Sequence, residues 1–511
     1  MSAMAANWGG GYVTDIPYLP GYYRHQSPLH LHLACLIGGV AGIAVGSETP
    51  IRYMELGCGA GFGAAMLAGC NPRWEVIGID FNPAHVAAAR EFAREAGIGN
   101  ARFIEADLAA FAETETGRNL PQADVITLHG VWSWVGDAVR DGIVGLLADK
   151  LRPGGIAYVS YNALPAWQGA LGLQRLLLEV GRREPGSSDR QVAAGWETAT
   201  TLNEATAPHL RDNPVVQSLL EYARQAKPAY LAHEYMNATW RPCFHADVAQ
   251  ALAGAKLDWV ASAQLLENFT PLMLAEEARE AAARYDDPIM RELIKDMFLT
   301  RCLRQDVFVR GARRLTAAER DAALGEVTLA LLHEESSFSW EFEVPAGQAR
   351  IERDFFGPVV AALAEAPHRV DELLALPDLS RRGNPGELVG MLVGSHQALP
   401  VLGPAAGSAD RAIRLNQAAA KYFVRPDNLD LGMALATAEA GSPLPCTMLD
   451  LFIASRLGTG APDPEGWARE LGAGHSQDEQ DRLRAFIDRV LASRAPVWRR
   501  LGAVSRSDHS A

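Results

Sequence analysis

Glycines at 57, 59, 61 and 63, set at alternate positions directly after the run Tyr53-Met54-Glu55-Leu56, restrict the fold of this chain more than any other feature. Ala64-Ala65-Met66-Leu67-Ala68 then begins a helix. A strand, a glycine turn and a helix in that order let the backbone reverse sharply and approach a ligand closely. The helix N-terminus behind the turn is expected to offer unpaired N–H groups to a carboxylate or phosphate. The stretch reads as a loop for an anion-bearing, nucleotide-like ligand.

From residue 52 the pattern alternates. Strands are expected at 52–57, 75–80, 101–106, 123–129 and 155–162. Between them, 83–96 is an alanine-rich helix with proline in its first turn, and 138–151 is a helix stopped by Arg152-Pro153-Gly154-Gly155. Such alternation means a doubly wound, mainly parallel α/β sheet, whose ligand sits beyond the carboxyl ends of the strands. The residues at those ends are Gly57 to Gly63, Asp80-Phe81-Asn82, Asp107-Leu108, His129 through Trp134, and Tyr161-Asn162.

At 511 residues the chain is too long for one ordinary core, and two or three domains are expected. A net charge of −14 argues against a nucleic-acid partner and mildly favours a basic one, such as a lysine-bearing protein. The six cysteines are scattered without metal-ligand spacing, so no metal site and a reduced, cytoplasmic compartment are expected. Residues 1–10 lack the pattern of a secretory leader. The apolar run 33–46 is too short to span a bilayer and reads as a helix lying on the sheet, so no membrane insertion is expected. The arm before it, with Tyr12, Tyr18, Tyr22 and Tyr23 among prolines, either packs as a hydrophobic strap or lines a ligand mouth.

Gly59-Ala60-Gly61-Phe62-Gly63-Ala64 also fits GxGxxA, with Asp80 near the spacing of a ribose-binding acid, so a nicotinamide-dependent oxidoreductase is a rival reading. Three features oppose it. Glu55 would crowd a pyrophosphate but suits a cationic ligand; Asp107 can take an adenine amine; and no obvious hydride-transfer histidine follows. Glu55-Leu56-Gly57-Cys58-Gly59-Ala60-Gly61, then Asp80, Asp107 and the turn Leu151 to Gly155, resemble the class I S-adenosylmethionine-dependent methyltransferases. The resemblance implies a seven-stranded sheet and S-adenosylmethionine as cofactor. It places the glycine loop at the methionine part, Asp80 at the ribose, and Asp107 with Leu108 at the adenine, Phe81, Asn82 and His129 completing the cofactor set.

Asp15-Ile16-Pro17-Tyr18, His129 to Val135, Tyr161-Asn162 and Tyr230 to Asn237 resemble the bacterial members with a methyltransferase regulatory domain, to which protein-lysine methyltransferases of outer-membrane proteins are similar. That resemblance implies methyl transfer to protein lysine. The alternatives are a small-molecule acceptor and a non-catalytic, cofactor-binding regulatory subunit. A lysine amine must shed its proton before attack, and a desolvated aromatic channel eases that loss. Trp132, Trp134, Tyr161 and Tyr22 are expected to line the channel, Asn162 to aim the amine, and His129 to take its proton or touch the cofactor.

The remaining divisions are a helical insertion at 163–241, completion of the sheet at 242–311 by strands 258–264 and 305–311 around a second helical insertion, 266–303, a hairpin and winged-helix-like unit at 312–423, and a helical end at 424–511. The first division, 1–50, is an arm and helix packed on the cofactor-binding core, 51–162. The hairpin is expected from 327–332 and 338–344. The helix of the winged-helix-like unit that would meet DNA, 387–396, has no Lys or Arg, so the unit is read as a protein-contact module. A homodimer through the insertions or the C-terminal part is expected. His233-Glu234 is not followed by a second histidine at HExxH spacing, because position 237 is Asn, and reads as a pair gripping a lid to the core.

Overall fold

Five apolar runs become the parallel strands β1 (Arg52–Leu56), β2 (Glu75–Asp80), β3 (Ala101–Glu105), β4 (Ala123–Leu128) and β5 (Leu151–Asn162). They lie in the computed structural model, which describes residues 9–16, 18–404, 408–458, 462–474 and 476–505. The opening 1–8, Pro17 of the arm, and the polar tail after Ser505 that is expected to fray lie outside the described residues. Side chains alternate between two cores, as strand geometry requires. Tyr53, Val76 and Val125 enter one core, and Met54, Ile77 and Ile126 the other.

β6 (Leu257–Ser262) and β7 (Leu303–Arg310) complete a seven-stranded sheet of order β3-β2-β1-β4-β5-β7-β6. β7 runs antiparallel to both neighbours and slots between β5 and β6, so β6 forms the edge although β7 comes later in the chain. β5 begins four residues before the expected start, because the Pro153-Gly154 turn is taken up as an irregularity in the β4–β5 register. The helix expected at 33–46 is instead Pro28–Ile37. Its signals are Ser27 before a first-turn proline and Gly38-Gly39 at its end, where Gly39 has φ +70°.

Insertion helices Leu171–Gly181, Ser188–Glu204 and Pro228–Tyr235 close on their own core of Trp167, Leu177, Val192, Trp196 and Tyr235. The arm is tied down by them: Asp15 accepts from the Ser188 N–H at 2.7 Å and hydroxyl at 2.6 Å, and Val13 N donates to Asn237 Oδ1 at 2.9 Å. The C-terminal part holds the arm from the other side, where Tyr22 N donates to Gly432 O at 3.3 Å. Helix Ser408–Phe423 packs Phe423 edge-on against Phe62 and Phe92, on the helix behind the glycine loop and on helix Pro83–Glu95. The binding loop is buttressed from distant sequence.

The expected hairpin of 327–332 with 338–344 does not form. Strand Thr328–Leu331 instead pairs with His368–Arg369 and Ala398–Pro404, while Glu341–Val344 makes its hairpin with Gly347–Arg350 across a tight turn. From 353 to 404 the order is helix, short strand, helix, helix, strand. Among the described residues, no helix is long and apolar enough to cross a membrane.

Candidate active site

Three glycines of the loop have positive φ: Gly57 (+74°), Gly59 (+55°) and Gly61 (+72°). At Gly59 a Cβ would meet no atom within 4 Å, so the loop presents bare backbone there. At Gly61 a Cβ would lie 2.6 Å from both Ala89 Cβ and Phe103 Cε1, because the loop is pressed onto helix Pro83–Glu95 and β3. Gly61→Ala combines left-handed strain with overpacking and is expected to destabilise the fold by about 2–4 kcal/mol. Urea unfolding checks this; a loss under about 1 kcal/mol would show that the loop yields.

The loop's donors turn inward. Gly57 and Cys58 N–H groups donate to Ile79 O at 2.7 and 3.1 Å, Gly61 N donates to Cys58 O at 2.9 Å, and Gly59 N donates to Asp80 Oδ2 at 2.8 Å. The turn's own amides are thus engaged within the fold; the donors expected for a carboxylate or phosphate are those at the start of the helix behind it, Phe62–Cys70.

The loop forms one wall of a cavity of about 250 Å³. Glu55, Gly57, Gly59, Asp80, Phe81, Asp107, Leu108 and His129 all line it, as the sequence leads one to expect; Gly61 stands directly behind the wall. Asn82 does not reach it. Its side chain caps helix Pro83–Glu95 by accepting from Ala84 N at 2.9 Å, and its own N–H donates to Asp80 Oδ1 at 2.9 Å. Asp107 is exposed and accepts from Ala109 N at 2.9 Å. Glu55 is buried, and desolvation, with the nearby Asp80 charge adding, pushes its carboxyl up to about 8 against an opposing hydrogen bond from Gln26.

The far wall is aromatic. Tyr12, Tyr18 and Tyr23 of the arm and Trp134 line it. Tyr23 stacks on His129 with ring centroids 3.7 Å apart. Trp134 Nε1 is buried without a hydrogen-bond acceptor among the described residues. His129 shares a 2.8 Å hydrogen bond between its Nδ1 and the Tyr158 hydroxyl, and burial pushes its imidazole down to about 3. A ring so reluctant to hold a proton is a poor base at neutral pH.

Three of the expected channel residues lie elsewhere. Tyr22 is buried beside helix Phe62–Cys70, and it is Tyr23 that faces the cavity. Trp132 packs in the second core with Arg140 5.3 Å above its ring. Tyr161 points away from the cavity and gives its hydroxyl proton to Asp306, within a buried network that includes His245 and Arg304. Asn162 stands next to it on the opposite face of β5, where its Nδ2 donates to Glu234 Oε1 at 3.2 Å. Among the cavity residues that the sequence reading passes over are Gln26 and His85. His85 lies 3.3 Å from Asp80 Oδ1, one turn into the helix after Asp80-Phe81-Asn82, and that spacing is its signal.

These residues fit an adenosyl sulfonium donor. Three carboxylates, Glu55, Asp80 and Asp107, share one cavity with a bare glycine edge and aromatic faces, a set that suits a cationic adenosyl ligand.

A family model described as "Methyltransferase domain" matches residues 54–157, and one described as "Predicted methyltransferase regulatory domain" matches 227–310. The "Uncharacterized protein sll1526" of Synechocystis is 33% identical over 366 residues, which are 72% of this chain and 71% of that protein. A trans-aconitate 2-methyltransferase of Paracidovorax citrulli is 26% identical over 233 residues, 45% of this chain and 75% of that one. Among solved structures, PKMT2 from Rickettsia typhi in complex with AdoHcy aligns with a TM-score of 0.66 over 93% of this chain and 97% of its own. At 15% identity this likeness shows a shared fold.

Proposed function

This chain belongs to the class I S-adenosylmethionine-dependent methyltransferases that carry a methyltransferase regulatory domain, and we propose that it transfers the methyl group to lysine side chains of a protein. The observation that carries the lysine reading is the aromatic wall of Tyr18, Tyr23 and Trp134 facing the glycine loop, which suits a long aliphatic side chain ending in an amine. The fold shared with PKMT2 over nearly its whole length is compatible with the same reading.

S-adenosylmethionine supplies an electrophilic methyl group on a cationic sulfur. Asp80 would hold its ribose hydroxyls, Asp107 and Leu108 its adenine, and the loop from Gly57 to Gly61 with Glu55 its methionine part. The aromatic wall excludes water and confines the acceptor, and confinement in line accounts for a large part of the rate in such displacements. Desolvation by the same wall favours the neutral amine over its ammonium form.

The test is incubation of the full chain with methyl-labelled S-adenosylmethionine and a bacterial lysate, followed by digestion and mass spectrometry. Methylated lysine in polypeptide is the expected result; label confined to small molecules would move the acceptor class to that of the trans-aconitate enzymes. A narrower check uses Trp134→Ala. S-adenosylhomocysteine affinity is expected to stay within about threefold while turnover falls by roughly 10²-fold through loss of acceptor alignment. Undiminished turnover would leave Trp134 as packing.

A further inference from the structure

His233 and Glu234, adjacent in helix Pro228–Tyr235, part ways in the structure. The His233 ring packs against Tyr18 at 5.0 Å and Tyr12 at 6.0 Å, which fits the gripping role expected of the pair. Glu234 does something else. It accepts from Asn162 Nδ2, and Asn162 is the last residue of β5, at the strand end where the sheet presents its ligands. Tyr12 and Tyr18, which line the cavity, also lie close enough to Glu234 for its charge to hinder their ionisation. Tyr230 and Tyr235 of its own helix and Cys302 at the end of the second insertion face it in the same way.

None of these neighbours is cationic, and among the described residues no lysine or arginine pairs with Glu234. An acid half-buried among phenol rings without a cation is held at a real desolvation cost. Glu234 is itself partly exposed, and its neighbours Tyr18 and Tyr230 are 42% and 44% exposed. An incoming alkylammonium would satisfy both the carboxylate and the aromatic faces.

We propose that Glu234, held by Asn162 and walled by Tyr12, Tyr18 and Tyr230, is the acceptor subsite of this enzyme, receiving a lysine ammonium and removing the proton that blocks methylation. The inference rests on the lysine reading above. One N–H bond of the ammonium breaks and its proton passes to the Glu234 carboxylate. The freed lone pair forms the N–CH₃ bond as the S–CH₃ bond breaks, its electron pair staying on sulfur to leave a neutral thioether. Glu234 then returns its proton to solvent. Its buried surroundings hold the carboxyl up to about 7, where a base operating at neutral pH should lie, in contrast to His129.

The experiment compares wild type, Glu234→Gln and Glu234→Asp in the full chain, with the peptide acetyl-Gly-Lys-Gly-amide as probe. S-adenosylhomocysteine affinity of the Gln variant is expected to match wild type, showing the cavity intact. Its kcat/KM for the peptide is expected to fall by about 10²-fold or more and to lose the rise through pH 7; the Asp variant should recover part of both. Independently of turnover, ¹³C-carboxyl NMR should show one glutamate titrating near 7 that shifts when the peptide is added, and the Gln variant should lack it. Should the Gln variant lose S-adenosylhomocysteine too, the Asp variant decides, a wild-type rate in it with no resonance perturbed by peptide overturning the proposal. Wild type that methylates lysine while Glu234→Gln keeps its rate and pH profile overturns the role of Glu234 alone. Wild type that methylates no lysine overturns the lysine reading and this inference together.

Discussion

Asp80→Ala is expected to weaken S-adenosylhomocysteine binding by about 10²-fold, through both a direct and an indirect loss. An ionised carboxylate offers about four acceptor sites. Three are already engaged, by Gly59 N–H at 2.8 Å, Asn82 N–H at 2.9 Å and His85 Nδ1 at 3.3 Å. About one remains for a ribose hydroxyl, and a hydrogen bond to a charged group contributes about 1.5–3 kcal/mol. The alanine variant loses that bond and also frees Gly59, so the glycine edge no longer waits in its bound shape. Asp80→Asn, which keeps one acceptor oxygen and the size, should fall between. Calorimetric titration together with melting of the ligand-free protein separates the parts: loop loosening lowers the melting temperature, whereas a lost ligand bond does not. Unchanged affinity would remove Asp80 from the site. Asp107, exposed and with one oxygen on Ala109, should give a smaller loss on the same substitution.

The strand ends of the site were legible because each lies at, or within two residues after, the end of a short run of strand residues. What lay beyond reach was which face a neighbour takes. Tyr161 and Asn162 are consecutive in β5, so one must enter the layer holding Asp306 and the other the layer holding Glu234; adjacency alone does not say which. Trp132 and Trp134 share one turn of 3-10 helix, and of the two Trp134 lines the cavity. Tyr22 and Tyr23 divide likewise, one into the core and one onto His129. The strand pairing of Thr328–Leu331 with Ala398–Pro404 is long-range and carries no local turn signal, whereas the true hairpin has Gly347 at φ +130°. The helix at Pro28–Ile37, by contrast, was written in Ser27-Pro28 and Gly38-Gly39.

Glu55 should make binding and stability depend on pH in opposite senses. Its carboxyl ionises near 4.3 in an unfolded chain and is raised to about 8 in the fold, chiefly by burial. A raised acid favours folding while protonated, so its contribution is full below about pH 4.3 and is lost progressively as pH climbs toward 8. On the order of 5 kcal/mol rides on that ionisation, and removing it should be visible. Glu55→Gln, which mimics the protonated acid, is expected to melt several degrees above wild type at pH 8 and level with it below about pH 4. The same change should weaken a cationic ligand, because only the carboxylate attracts positive charge. Binding must therefore drive Glu55 to ionise: at pH 7, titration of wild type with S-adenosylmethionine should release close to one proton, read from the spread of heats across buffers of different ionisation enthalpy. The Gln variant should release none. Zero release by wild type would mean that no positive charge comes to rest beside Glu55, and the cationic part of the cofactor would have to lie elsewhere in the cavity.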